Sequence, residues 1–189
     1  MPNDERIIAQ YRAATTCAAT CERKGRALIE VAGEDRATWL NNLVTNIITT
    51  LQPGEGNYAF AVNVKGRVVF DLNMLVLQDR LWLDVDARKR DAALSHLDRF
   101  VVTEDVKLSD ITNQHRRVAI IGPAAHEIVD RVALGNLVPM SQLQHIAGTI
   151  AGIECRMIRH DFTGLPAAEI IAPEAGFEAV CSAVADAAG

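Results

Sequence analysis

Three apolar-rich runs follow one another closely: NYAFAVNV (57–64), RVVFDLNMLVLQ (67–78) and LWLDVD (81–86). Only short turns part them, at Lys65-Gly66 and at Gln78-Asp79-Arg80. Parallel neighbours need a crossover of a dozen or more residues, and these intervals are far shorter. The runs therefore predict an antiparallel meander, and any fold for this chain must be built around it.

Successive side chains on a strand point to opposite faces. Val68, Phe70, Leu72, Met74 and Val76 then form one wholly apolar face, expected to lie in a core. The other face holds Val69, Asp71, Asn73 and Leu75. A two- or four-residue turn at Lys65-Gly66 pairs Val62 with Val69, Phe60 with Asp71 and Tyr58 with Asn73, so Tyr58, Phe60 and Asp71 share this second face. An odd turn or a bulge would separate them. Two rings beside a carboxylate and an amide suit a small-molecule pocket. The competing reading is the solvated side of a half-exposed sheet.

Elsewhere, helical periodicity marks 4–19, with Asn3 or Asp4 as cap, and also 33–48, 87–102 and 176–188. Segments 26–33, 149–161 and 167–173 read as strands, 106–112 as a short strand or linker, and 116–134 as a strand, a Gly122-Pro123 break and a helix. Strand hairpins mixed with helices favour an α+β fold of antiparallel or mixed sheets with flanking helices over a doubly wound parallel one. The expected seam lies near Ser109–Arg116, giving a first subdomain over 1–110 and a second over 111–189. Strand-helix-strand followed by a hairpin recurs in both halves, without a clean sequence repeat.

At 189 residues, with 49% hydrophobic and 23% charged residues, the chain can bury a sizeable core unaided. A formal net charge of -5 argues against nucleic-acid binding, which needs clustered Lys and Arg. The short basic clusters ERKGR (22–26) and DARKRD (86–91) read as solvated faces. No apolar run reaches membrane-spanning length and the first residues form no secretory signal, so a cytoplasmic protein without a membrane partner is expected. Cys17, Cys21, Cys155 and Cys181 form no C-x-x-C pair and read as reduced thiols, although Cys17 and Cys21 would share a helix face at i, i+4. His96, His115, His126 and His145 are scattered and read as surface or interface residues. His160-Asp161 point to opposite faces if strand neighbours, unless a turn bends them together, and so make a poor base and orienter.

Gly25, Arg26, Val31, Gly33, Asp35, Trp39, Leu40, Thr45 and Asn46, then Pro53, Gly54, Tyr58, Asn63, Gly66 and Asp71, stand at a spacing that resembles a known family. It is the folate-binding domain shared by the glycine-cleavage T-protein (aminomethyltransferase) and the YgfZ-type folate-dependent iron–sulfur cluster proteins. AIIGP (119–123) and DFTGLPAAEI (161–170) extend the resemblance over nearly the whole chain, which matches about the first half of a family member. A C-terminal domain is thus expected to be absent.

The resemblance implies tetrahydrofolate as the bound cofactor. Asp71 matches the acid beside the reacting folate nitrogen and is the candidate catalytic residue. Tyr58 matches a ring lining the pocket, and Glu169 a glutamate that holds the pterin; Phe60, Asn73 and Asp86 complete the candidate binding set. Asp86 stands where the aminomethyltransferases have Asn, Phe70 where they have a second acid, and Leu165-Pro166-Ala167 replaces a G-E-x-G stretch. The single acid leans toward the YgfZ type, yet neither Cys155 nor Cys181 matches that type's cysteine motif. The implied function is aminomethyl transfer or folate-dependent iron–sulfur cluster maintenance, with a lipoyl carrier or an iron–sulfur enzyme as protein partner. Sheet edges or a face left bare by a missing domain would favour a homo-oligomer. The alternative is a non-catalytic remnant serving as an interaction or regulatory module.

Overall fold

The computed structural model describes residues 2–133, 137 and 139–188, without the side chains of residues 2–4. The fold is α+β, in two compact units: residues 24–114, and residues 1–23 together with 115–189. In chain order, α1 (Pro2–Thr16) and β1 (Ala19–Glu22) lead. A first run follows: β2 (Arg26–Ala32), α2 (Arg36–Asn41), β3 (Gly56–Val62), β4 (Val68–Val76), β5 (Arg80–Asp86) and α3 (Arg90–Asp98). Strand β6 (Lys107–Asp110) leads a second: β7 (His115–Ile121), α4 (Ala125–Ala133), β8 (His145–Ile150), β9 (Ile153–Arg159), β10 (Ala167–Pro173) and α5 (Phe177–Ala188).

Each unit is one five-stranded sheet whose neighbouring strands are antiparallel. The orders are β3-β4-β5-β2-β6 and β8-β9-β10-β7-β1. The two runs are topological copies, β2 corresponding to β7, α2 to α4, the hairpin strands β3 to β5 to β8 to β10, and α3 to α5. The leading strands are exchanged: β1 precedes the first run but pairs with β7, whereas β6 precedes the second and pairs with β2.

Two glycines make the exchange fit. Gly33 ends β2 at φ 107° and Gly122 ends β7 at φ 133°, a region that L side chains rarely adopt. A Cβ on Gly33 would strike the Asp105 carbonyl, and one on Gly122 would lie 2.5 Å from the Cys17 oxygen. Asp105 and Cys17 each stand two residues before an exchanged strand. Each also accepts a backbone hydrogen bond from beyond its glycine, Asp35 N to Asp105 O at 3.3 Å and Ala124 N to Cys17 O at 2.9 Å.

Both cores lie on one face of their sheet. In 24–114, Ile29, Val31, Leu72, Met74, Leu83 and Leu97 are sealed between the sheet and α3; in the other unit Ile120, Met157, Ile170, Val129, Val180 and Phe177 are packed with α4 and α5. Burying a side chain of this size stabilises by about 1.5–3 kcal/mol.

The meander stands where the sequence placed it, with differences elsewhere. Val62 pairs with Val68 rather than Val69, because a bulge falls between Ala61 and Val62. Val68 is 57% exposed at its strand's open end and does not join the apolar face, while Leu75 is buried on the opposite one. Helix α1 includes Asn3 and Asp4 and stops at Thr16, so Cys17 and Cys21 share no helix; α2 covers only six residues, and 149–161 opens with a hairpin. Residue 134, the expected end of the α4 helix, lies outside the described residues. Where the sequence suggested division at 110, the units divide at 114, and residues 1–23 fold with the later segment because β1 needs β7 as its neighbour.

Candidate functional site

In the unit 24–114 the bulge lies beyond Phe60, so the expected register survives where it matters: Phe60 faces Asp71 and Tyr58 faces Asn73. Tyr58 Oη donates to Asp71 Oδ2 at 3.1 Å. The Tyr58 and Phe60 rings meet edge to face, with centroids 5.3 Å apart, and are 44% and 39% exposed. Desolvation raises the Tyr58 pKa, the hydrogen bond to Asp71 and that group's negative charge add to the rise, and Arg26 opposes it. Among the described residues Asp71 is half-buried, has Tyr58 as its hydrogen-bond partner and has no cation paired with it.

The remaining motif residues build this face rather than extend it. Thr45 N donates to Phe60 O at 2.9 Å, and Phe60 N returns a bond to Thr45 Oγ1. Asn46 Nδ2 reaches Tyr58 O at 3.0 Å. Together they occupy the backbone groups of edge strand β3, which would otherwise invite another strand. Asn63 Oδ1 accepts from Lys65 N and Arg67 N and so closes the β3–β4 turn, in which Gly66 takes φ 71°. Trp39 Nε1 donates to Phe100 O at 2.8 Å.

Asn73, next on the same face, is 7% exposed, and its Nδ2 donates to Asp84 Oδ2 at 2.9 Å. Asp84 is 2% exposed and takes both arms of Arg26, Nε to Oδ1 at 2.9 Å and Nη2 to Oδ2 at 3.1 Å. The ERKGR cluster predicts a solvated Arg26, whereas the structure pairs it with the buried Asp84, a residue that the sequence motifs do not single out. The available signal was an acid at the centre of LWLDVD that needs a buried cation.

Asp86 is otherwise engaged. Its carboxylate caps the turn at Ala87–Lys89 by accepting from Arg88 N at 2.8 Å and pairs with the Arg88 guanidinium, which holds it well below the usual carboxylate range.

Glu169 lies in the other unit, at the centre of β10, with no exposed surface. Its oxygens accept from Arg23 Nη1 and from Arg117 Nη1, the latter at 2.8 Å, and His160 Nδ1 stands 3.1 Å away. Phe162 lies under the Arg23 guanidinium, 3.9 Å from Cζ to ring centroid. The carboxylate presents no surface to a ligand, because burying a charge requires nearby cations and these surround it. His160 thus has a partner on the sheet face, and Arg23 is not merely solvated. His96 and His145 are likewise buried rather than superficial. Arg156, whose guanidinium meets His145 Nδ1 at 2.8 Å, is shifted downward by burial. The four cysteines are free, and among the described residues no three His, Cys, Asp or Glu side chains are grouped to hold a metal. None of the described helices is long and apolar enough to cross a membrane.

A two-sheet α+β domain with an aromatic-flanked carboxylate on one sheet is the class defined by this geometry. The family model for the GCVT N-terminal domain matches residues 2–189, and the chain belongs to that family. It is 28% identical to an aminomethyltransferase of Desulforamulus reducens over 95% of this chain and 50% of that protein. It is 26% identical to the sarcosine oxidase subunit alpha of Corynebacterium sp. over 90% of this chain and 18% of that one. The chain therefore spans half the length, or less, of these curated relatives. Among solved structures, the glycine cleavage system aminomethyltransferase T of Bartonella henselae superimposes with a TM-score of 0.83 at 17% identity, covering 94% of this chain and 48% of that one. That likeness and the family match agree on the fold.

Proposed function

We propose that residues 24–114 bind a reduced folate on the face bearing Tyr58, Phe60, Asp71 and Asn73, and that Asp71 serves an aminomethyl-transfer reaction. The single observation that carries this reading is the Asp71 carboxylate: half-buried, without a paired cation among the described residues, and flanked by two exposed rings. Such a group suits a flat heterocycle rich in N–H donors. A carboxylate can accept two parallel hydrogen bonds, and the rings supply apolar contact. Family membership supports the same chemistry.

When bound, tetrahydrofolate supplies a nucleophilic ring nitrogen. Asp71 orients that nitrogen or accepts its proton, and Tyr58 holds the Asp71 carboxylate through its hydroxyl. Phe60 covers one side of the site. Asp86 and Glu169, already committed to capping and to buried cations, support the fold rather than touch the ligand. A lipoyl carrier is the protein partner that this reading requires.

Anaerobic titration calorimetry with tetrahydrofolate tests it. Saturable binding is expected, weakened at least tenfold in Asp71→Asn and less in Tyr58→Phe. No binding by the wild type, or equal binding by Asp71→Asn, would remove the proposal.

A further inference from the structure

We infer that Asn73 is a specificity-determining residue, aimed by the buried Asp84–Arg26 pair, and that it makes the site favour a tetrahydropterin over its fully oxidised form. The inference rests on the folate reading and assigns that site a second hydrogen-bond acceptor.

Asn73 stands between Tyr58 on β3 and Asp84 on β5 in the sheet register. An amide side chain has one donor end and one acceptor end, and its neighbours decide which way it lies. Asp84 decides here. Its carboxylate is held by Arg26 through two hydrogen bonds, so its oxygens act as acceptors and draw the Asn73 NH2 group to Oδ2 at 2.9 Å. Oδ1 of Asn73 must then point away from β5, toward the side on which Tyr58 and Asp71 lie. Among the described residues no donor meets this oxygen.

The face therefore offers two acceptors two residues apart on β4, the Asp71 carboxylate and the Asn73 carbonyl. A fully oxidised pterin has bare, accepting nitrogens in its pyrazine ring. A tetrahydropterin carries N–H groups there in addition to those of its pyrimidine ring. Both forms keep the pyrimidine donors, so the difference falls on the pyrazine edge: an Asn73 carbonyl set against that edge meets an N–H of the tetrahydropterin and a lone pair of the oxidised form. Leaving a buried polar group unmatched is the strong form of discrimination.

Tetrahydrofolate and folic acid, titrated anaerobically against the same preparations, supply the test, with circular dichroism melts confirming that each variant is folded. Wild type is expected to prefer tetrahydrofolate. Asn73→Leu, similar in size but without the acceptor, should lower that preference about five- to tenfold. Asp84→Asn is the sharper probe. Its own NH2 group can attract Asn73 Oδ1 and turn the amide over, presenting a donor, so the preference should shrink further or reverse. A lost structural contact would weaken both ligands together and leave their ratio unchanged. Equal wild-type affinity for the two ligands, or an unchanged ratio in both variants, overturns the inference while the folate site stands. If neither ligand binds wild type, both readings fall. Should Asn73→Leu not fold, the ratio in Asp84→Asn decides alone.

Discussion

Both sheets bury a carboxylate on the face turned away from their core, yet the two acids live differently. Asp84 is held by Arg26 and by the Asn73 amide among its partners, and on the neighbouring strand Asn73 and Asp71 lead outward to exposed rings. Glu169 has two arginines and a histidine, and no surface at all. Nor do they occupy matching places. The turns after β5 and β10 begin at Ala87 and Glu174, so the position matching Glu169 is Trp82, and Ile171 matches Asp84. A shared backbone topology thus fixes neither where an acid stands nor what surrounds it. One sheet spends its polar face on internal cohesion, while the other leaves groups able to meet a ligand.

The largest expected effect probes the cohesive sheet. Glu169→Ala removes the carboxylate between Arg117, Arg23 and His160, and losing one partner of a buried ion pair typically costs about 3–5 kcal/mol. Urea denaturation should show it as a lower midpoint. An equal loss in Asp84→Ala would erase the contrast, since Arg26, with 16% of its side chain exposed, can recover water more easily than Arg117 at 7%. Next come Gly33→Ala and Gly122→Ala. Each forces a Cβ against backbone at a positive φ, and each should cost about 2–3 kcal/mol or more. Similar losses in thermal unfolding would confirm that the two glycines do the same work; a harmless substitution at one alone would break the analogy between the copies.

The smallest effect belongs to Tyr58→Phe, where a partly exposed hydroxyl is lost and stability should change by about 0.5 kcal/mol or less. Its clearer signature is optical. The Tyr58 pKa is raised by desolvation and by Asp71. A folded-state pKa above the unfolded value means that any stability contributed by the Tyr58–Asp71 bond is complete below the ordinary tyrosine pKa and fades as pH rises through the folded one. Absorbance titration should lose the raised phenolate component in Tyr58→Phe. Persistence of that component would show that it does not belong to Tyr58.

The meander was legible because its turns are too short for anything but antiparallel neighbours, and the family motif reached Tyr58 and Asp71 through their spacing. Other elements were hidden by longer-range choices. Helix α2 stops early because Thr45 and Asn46 are drawn to the edge of β3, a tertiary demand that local periodicity does not announce. The hairpin between β8 and β9 turns on Ala151 and Gly152, at φ 50° and 80°. Alanine in a place that usually calls for Asn or Gly concealed it. Strand β1 exists only through β7, almost a hundred residues downstream. The short cluster ERKGR concealed two arginines, one for each buried acid, because proximity in sequence says nothing of destination.

The exchange of leading strands also sets an order of events during synthesis. Residues 19–22, made ahead of both sheets' remaining strands, find their sheet neighbour only when the stretch ending at Ile121 has emerged. By then residues 24–114 have all been made, and every strand of their sheet can already be joined. Residues 19–22 are thus translated before the 24–114 sheet but paired after it, so a nascent chain from which residues through 114 have emerged should hold one finished sheet and an unmatched preceding strand.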